Sequence, residues 1–346
     1  MRFGVTYCAI VVTDDFESED YSPAPLSEPL LRVRIETLRV PFAAAGMRLD
    51  RFLASALPNH SRSRLAELTK AGLVTVDGIL ALPRRLLTGG EQVVVELPPR
   101  EAEMAMQPEE MPIEVVYEDD DVIVINKPPG LVVHPAAGNW HGTLMNGLLA
   151  RYPSSRVVPR AGIVHRLDKD TSGLMVIART EKAQLSLVRQ LQARSVSRRY
   201  LALVTGALAG EGSIREPVGR HPHVRVKMAV VEEARGGKAA VTHYRSIERL
   251  AHHTLAECRI ETGRTHQIRV HMQWLGFPLV GDPLYGGAPT KLPSPMRDAI
   301  DRFGRQALHA ASLAFTHPGD GAPRCFEAPL PADYEALLLV ARSSDG

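Results

Sequence analysis

From Ile113 onward the chain sets out β-branched and apolar runs that do not alternate regularly with helical segments, and this order constrains the fold more than any other feature. "DDDVIVINKPPGLVVHP" reads as strand, turn and strand around Lys127, Pro128, Pro129 and Gly130, and "TSGLMVIART" as a buried strand. Thr180 is placed to cap a helix over "EKAQLSLVRQLQARS", with Ala183, Leu187, Val188 and Leu191 on one face. "RRYLALVTG" returns as a strand, "VTHYRSIERL" and "HTLAECRIETG" suggest an antiparallel pair, and "RTHQIRVHMQWLGFP" reads as a helix capped by Thr265 and stopped by Gly276. Strands outnumber helices. The expected class is α+β, on a largely antiparallel mixed sheet with flanking helices, rather than a doubly wound parallel sheet.

Composition divides the chain. Residues 1–36 include "DDFESEDYSPAPLSEP", acidic and proline-rich, which is expected to form a flexible extension because it buries too little apolar surface to offset ordering. A compact unit is expected over 37–98. An acidic, proline-bounded linker follows over 99–112, and a large domain over 113–346. At 346 residues and 45% hydrophobic, the chain has enough apolar material for two or three real cores. No run approaches membrane-spanning length, so no membrane partner is expected. The three cysteines, Cys8, Cys258 and Cys325, have no Cys-x-x-Cys spacing, which supports neither a disulfide framework nor a thiolate metal site and fits a reducing cytoplasm.

Charge is unevenly spread. Of 41 Lys+Arg and 39 Asp+Glu, residues 1–126 hold 12 and 21, which leaves 29 and 18 for residues 127–346. A basic larger half suits a polyanionic partner, although an ordinary solvated surface gives the same excess.

In the small unit, "MRLDRFLASALP" puts Leu49, Phe52, Leu53 and Leu57 at helical spacing ahead of Pro58. "SRSRLAELTKAGLVTVDG" offers Ser61 or Ser63 as a cap, a stripe through Leu65 and Leu68, a stop at Gly72 and a short strand, and "EQVVVELP" adds another strand. This order, with Arg62, Arg64 and Lys70 on the second helix, resembles the small α/β RNA-binding module called the alpha-L motif, named after a small-subunit ribosomal protein. The resemblance implies that those three residues lie along RNA phosphates.

The stretch "HRLDKDTSGL" crowds charge directly before the apolar "LMVIA". A carboxylate on a loop fed rigidly into the core can carry chemistry, yet on spacing alone a turn carboxylate bonded to nearby backbone N–H groups is the better reading. The wider pattern separates these readings. "HRLDKDTSGLMVIA" resembles the signature of the RluA and RluD family of ribosomal RNA pseudouridine synthases. "NKPPGLVVHP", "RRYLALVTG", "ETGRTHQIRVHM", "PLVGDPLYGG" and "RQALHAASLAFTHP" are similar to that family's other segments, in the same order. "GRHPHVRVKMAV" with "GKAAVTHYR" is nearer in pattern to its RluD branch.

The resemblance implies isomerisation of uridines to pseudouridine in 23S large-subunit ribosomal RNA, free or in a pre-ribosomal particle. The bond from ribose to uracil N1 breaks, the base turns, and C5 rejoins the sugar. No redox change or energy input occurs, so no cofactor is expected. Carried over by motif, Asp168 is the catalytic carboxylate, acting as nucleophile or as base toward the sugar. Arg269 pairs with it, and Tyr200 stacks on uracil or accepts the C5 proton. Arg166 contacts RNA opened by base flipping, His165 holds the loop, and Lys127 lines the cleft or contacts RNA. The alternatives are the same chemistry on transfer RNA, a non-catalytic RNA-binding protein, and a metal hydrolase built on His165, His266, His271 and His309, which lack a strong ligand spacing. A monomer is the default expectation.

Overall fold

The protein was analysed as a computed structural model that describes residues 33–98, 106–136, 138–286 and 292–343. It divides into a small unit ending at Met106 and a large one beginning at Gln107. The expected flexible extension lies outside the described residues as far as residue 32. Its proposed end at residue 36 is corrected, because Arg34–Arg39 is a strand, β1, paired with Gln92–Leu97.

In the small unit, helices α1 (Leu49–Ala56) and α2 (Arg62–Lys70) precede strands β2 (Val74–Val76), β3 (Ile79–Leu80) and β4 (Gln92–Leu97). The antiparallel sheet runs β1-β4-β2-β3. The helical stripes close on it: Leu49, Phe52 and Leu53 of α1 and Leu65 and Leu68 of α2 share one core with Val74, Val76, Val93 and Val95. Ser61 is the cap of α2, its hydroxyl accepting from Arg64 N at 3.3 Å. Asp77 and Gly78, with φ of 51° and 75°, make the two-residue turn between β2 and β3.

The large unit is built on one sheet in the order β5-β6-β7-β14-β8-β13-β12-β9, with β15 paired to β14. Its strands are β5 (Val115–Glu118), β6 (Val122–Lys127), β7 (Ser172–Ala178), β8 (Ser197–Thr205), β9 (Glu211–Ile214), β12 (Thr242–Arg249), β13 (His253–Ile260), β14 (Leu308–Thr316) and β15 (Pro323–Glu327). A separate ribbon joins β10 (Val218–Arg220) to β11 (Met228–Val230). Every main-sheet pairing is antiparallel except β7 with β14. The α+β expectation therefore holds. Five helices, α3 (Leu144–Arg151), α4 (Glu181–Gln192), α5 (Gln267–Trp274), α6 (Ser294–Phe303) and α7 (Ala332–Ser343), are seen among the described residues. Ala183 and Leu187 of α4 pack on Val122, Val124, Leu174 and Val176, and Met296 and Phe303 of α6 meet Tyr334 and Leu338 of α7 around Leu203.

Three local expectations are corrected. "LVV" at 131–133 is not a second strand: its carbonyls receive Leu144 N at 2.8 Å and Met145 N at 3.2 Å, the start of α3. Thr265 does not cap α5. His266 takes that position in the left-handed region at φ 57°, with no side-chain cap bond. The linker ends before residue 112, since Gln107 O accepts from Asn146 Nδ2 at 2.7 Å and Glu109 N donates to Asn146 O at 3.1 Å.

Gly173 pairs with Ala310 in the parallel β7–β14 ladder. Its φ is 113°, and a Cβ there would sit 2.3 Å from Ala310 O. Gly173→Ala is expected to destabilise the large unit by about 1–3 kcal/mol or more. Both tryptophans, Trp140 and Trp274, lie in that unit, so the urea midpoint read by tryptophan fluorescence checks this; an unchanged midpoint would contradict it.

Candidate active site

The charged loop before β7 is tied down at successive carbonyls. Asp168 O accepts from Thr171 N at 3.1 Å, Lys169 O from Lys127 Nζ at 2.9 Å, and Asp170 O from Arg305 Nη1 at 3.0 Å. Side chains extend the anchoring. Gln306 Nε2 donates to Thr171 Oγ1 at 3.1 Å, and Ser172 Oγ meets His309 Nδ1 at 3.0 Å while His309 Nε2 donates to Ala328 O at 3.2 Å. His165 Nε2 accepts from Val176 N at 3.1 Å, which fits a loop-holding residue. With the backbone spent on the scaffold, the Asp168 side chain is free to face the site.

Lys127 requires a correction. It is fully buried, and Nζ donates to Pro128 O, Leu131 O and Lys169 O at 2.8, 3.0 and 2.9 Å. Burial pushes it down to about 7, against the opposing charges of Asp170 and Asp168. Three carbonyl acceptors match three ammonium donors, so we take the charged form as the one the site is built for. This is a staple under the loop, not an RNA contact.

One arginine organises the carboxylates. Arg269 Nη1 donates to Asp168 Oδ2 at 2.9 Å, while Nε and Nη2 form a fork on Asp282 at 2.8 and 2.9 Å. Burial would lower Arg269, but the bonds to Asp282 and the charge of Asp168 outweigh it and hold the guanidinium more firmly protonated than usual. Asp282, with its side chain fully buried, is oriented by Leu284 N at 2.9 Å and Tyr285 N at 3.1 Å. The Tyr285 ring lies 5.0 Å from the Arg269 guanidinium carbon. Asp168 Oδ1 has no hydrogen-bond partner among the described residues, so one carboxylate oxygen is held and the other is open.

His266 stands beside this pair, with Nε2 at 4.0 Å from Asp168 Oδ2. Its Nδ1 meets Tyr285 Oη at 2.8 Å, and that oxygen accepts from Met228 N at 2.7 Å. Burial lowers the His266 pKa, with Asp168 opposing.

Tyr200 sits on β8 between Cys258 of β13 and Ala310 of β14, only 5% exposed. Burial raises its pKa, and Asp168 is near enough to raise it further. Asp168, Arg269 and Tyr200 are thus brought together. Arg166 is exposed, and its positive charge reaches both His266 and His134.

The helix residues of the small unit have local roles. Arg62 pairs with Asp50 at 2.9 Å, Arg64 Nη2 donates to Pro98 O at 2.7 Å, and Lys70 is exposed. Three of the four histidines of the metal-hydrolase alternative are engaged elsewhere: His271 bonds Thr242 Oγ1 and Glu216 O at 2.9 and 2.8 Å, and His165 and His309 bond the groups given above. Asp282 and Tyr285 were not singled out by residue from the sequence, and His266 was named only as a ligand of the metal-hydrolase alternative. The local signal for Asp282 was "GDPLYGG", an Asp-Pro turn whose aspartate can bond backbone N–H groups two and three residues on.

The sequence pattern of the family described as RNA pseudouridylate synthase matches residues 121–274, and that of the S4 domain matches 47–93. The chain is 52% identical over 330 residues to "Ribosomal large subunit pseudouridine synthase D" of Neisseria meningitidis serogroup B, covering 95% of this chain and 87% of that relative. It is 48% identical over 303 residues to the protein of the same name from Escherichia coli O157:H7, covering 86% and 91%. Among solved structures, human RNA pseudouridylate synthase domain containing 1 superposes with a TM-score of 0.50 at 28% identity, over 65% of this chain and 87% of that one. Identity of this extent along nearly the whole sequence means that the chain belongs to the RluA and RluD family of pseudouridine synthases and is an isomerase.

Proposed function

We propose that this enzyme isomerises specific uridines of 23S large-subunit ribosomal RNA, with Asp168 as its catalytic carboxylate and the S4 unit as a second RNA contact. The rRNA target follows the names of its relatives. The observation that carries the role of Asp168 is its half-engaged carboxylate, with Oδ2 on Arg269 at 2.9 Å and Oδ1 open. An oxygen fixed in direction and left without a protein partner can approach the ribose or the base. No helix among the described residues is long and apolar enough to cross a membrane. We read the enzyme as a cytoplasmic monomer acting on rRNA or a pre-ribosomal particle.

The residues divide the work by chemistry. Asp168 supplies the carboxylate that breaks the link from ribose to N1. Arg269, oriented by Asp282, sets the plane of that carboxylate. Tyr200 stacks on the base and takes the proton from C5 after C5 has joined the sugar, returning the ring to its conjugated form. Arg166, on the exposed rim, contacts RNA from which the uridine has been flipped at a cost of about a few kcal/mol.

Tritium release from rRNA labelled at C5 of uracil tests the reading. Asp168→Asn is expected to abolish release while leaving the urea midpoint and RNA affinity nearly unchanged; unchanged release would reject Asp168 as the catalytic carboxylate. Release from transfer RNA, and not from rRNA, would correct the substrate while keeping the chemistry. Tyr200→Phe is expected to bind RNA normally and stall before product, because the ring remains and the proton acceptor is gone. Turnover at the wild-type rate would leave Tyr200 with stacking alone. Arg269→Lys keeps the charge but loses the fork, and full activity in that variant would show that the two-point grip of Asp282 is dispensable.

A further inference from the structure

Arg198 is a buried cation that the reaction as described does not use. It projects from β8 on the same side as Tyr200, two residues on, and is 7% exposed. Its one direct bond is long, Nη2 to Glu261 O at 3.4 Å. Nε is buried with no partner, and no carboxylate pairs with the guanidinium among the described residues. The Glu261 carboxylate is already held by His243 at 2.7 Å and Arg194 at 3.2 Å. Room for the head group comes from Gly263, where a Cβ would lie 3.1 Å from Arg198 Nη1.

A guanidinium taken out of water with so little compensation is costly, and a chain gains nothing from it in the resting fold. The neighbours do not supply the missing charge. His165 accepts from Val176 N through Nε2, so its proton rests on Nδ1; burial pushes the ring down to about 3 and keeps it neutral. Cys258, the cross-strand neighbour of Tyr200, is pushed up to about 12 by burial and is an uncharged thiol. Tyr200 remains. Burial and Asp168 both disfavour its phenolate, and Arg198 is the group that opposes them. The Tyr200 hydroxyl has no hydrogen bond from the described residues, which leaves it open to a substrate.

We propose that Arg198 is a positioning residue acting through Tyr200: its buried guanidinium is the counter-cation for the phenolate that exists when Tyr200 takes the C5 proton. The inference rests on the proton-acceptor reading of Tyr200 given above. The proton balance is internal. The phenol first gives its proton to the detached uracil anion, whose N1 carries a hydrogen in the product. After C1′ has bonded to C5, the C5–H bond breaks, its proton joins the phenolate oxygen, and its electron pair restores the uracil ring. Negative charge therefore resides on Tyr200 between two proton transfers, in a place where water cannot stabilise it.

Arg198→Met tests this, because methionine fills much of the same space without a charge and removing a poorly compensated buried cation does not cost stability in itself. Tritium release from C5 is expected to slow by about 10²-fold, with RNA affinity and urea midpoint retained. A deuterium isotope effect at C5 is expected to appear or grow in single turnover, and Arg198→Lys is expected to recover most of the rate. A wild-type rate in Arg198→Met with Tyr200→Phe stalled would overturn the counter-cation assignment and leave the Tyr200 reading intact. Wild-type rates in both variants would remove the Tyr200 reading and this inference with it. A rate loss that tracks a lowered urea midpoint, without an isotope effect or lysine rescue, would make Arg198 structural and overturn the proposal.

Discussion

The site depends on one guanidinium shared by two carboxylates. A buried ion pair repays its desolvation only with good geometry and with its remaining donors satisfied, and Arg269 meets both conditions. Asp282 takes Nε and Nη2 as a fork, which fixes the guanidinium plane and leaves Nη1 aimed at Asp168. The fork alone would neutralise Arg269. Adding Asp168 leaves the three groups with one net negative charge, on the carboxylate whose second oxygen is open. A lysine, a point charge without a planar fork, could not hold one aspartate and direct the other.

That arrangement needs a rigid partner, and the loop before β7 provides it. Each of three consecutive carbonyls, at Asp168, Lys169 and Asp170, is taken by a different group. Arg305, which holds the third, is itself forked on Asp333 of α7 at 2.8 and 2.9 Å and lies 4.3 Å from the Phe303 ring centroid. The C-terminal helix thereby constrains the loop from far along the sequence. Gly173 admits β14 at close range just beyond the loop, so backbone, core and charge network specify one position for Asp168.

Much of this was legible in the sequence. Periodicity located α1, α2 and α4, and the non-alternating order of runs gave the largely antiparallel sheet, because side-chain spacing and element order are local properties. The ordered motifs named the family and pointed to Asp168, Arg269 and Tyr200, which the fold brings together from a loop, a helix and a strand. Contacts between distant segments were not legible. Lys127 read as a cleft or RNA-contacting residue beside two prolines, and only the folded chain supplies Lys169 O as its third acceptor. Asp282 lies 13 residues from Arg269, and its fork depends on the turn that orients it. Thr265 fitted a helix cap by composition, but His266 adopts the left-handed conformation and occupies that position. Nothing local distinguishes Arg198 from the half-buried Arg199 beside it, since alternation along a strand becomes inside and outside only once neighbouring strands are in place.

The dependence of the site on the Asp282 fork is tested most directly by single-turnover kinetics of Asp282→Asn on labelled rRNA, alongside a binding measurement. The account predicts a rate of isomerisation lower by about 10²-fold with RNA affinity unchanged, because the orienting pair is lost while the RNA contacts stay. A wild-type rate would contradict it and would mean that Arg269 needs no second carboxylate to hold Asp168.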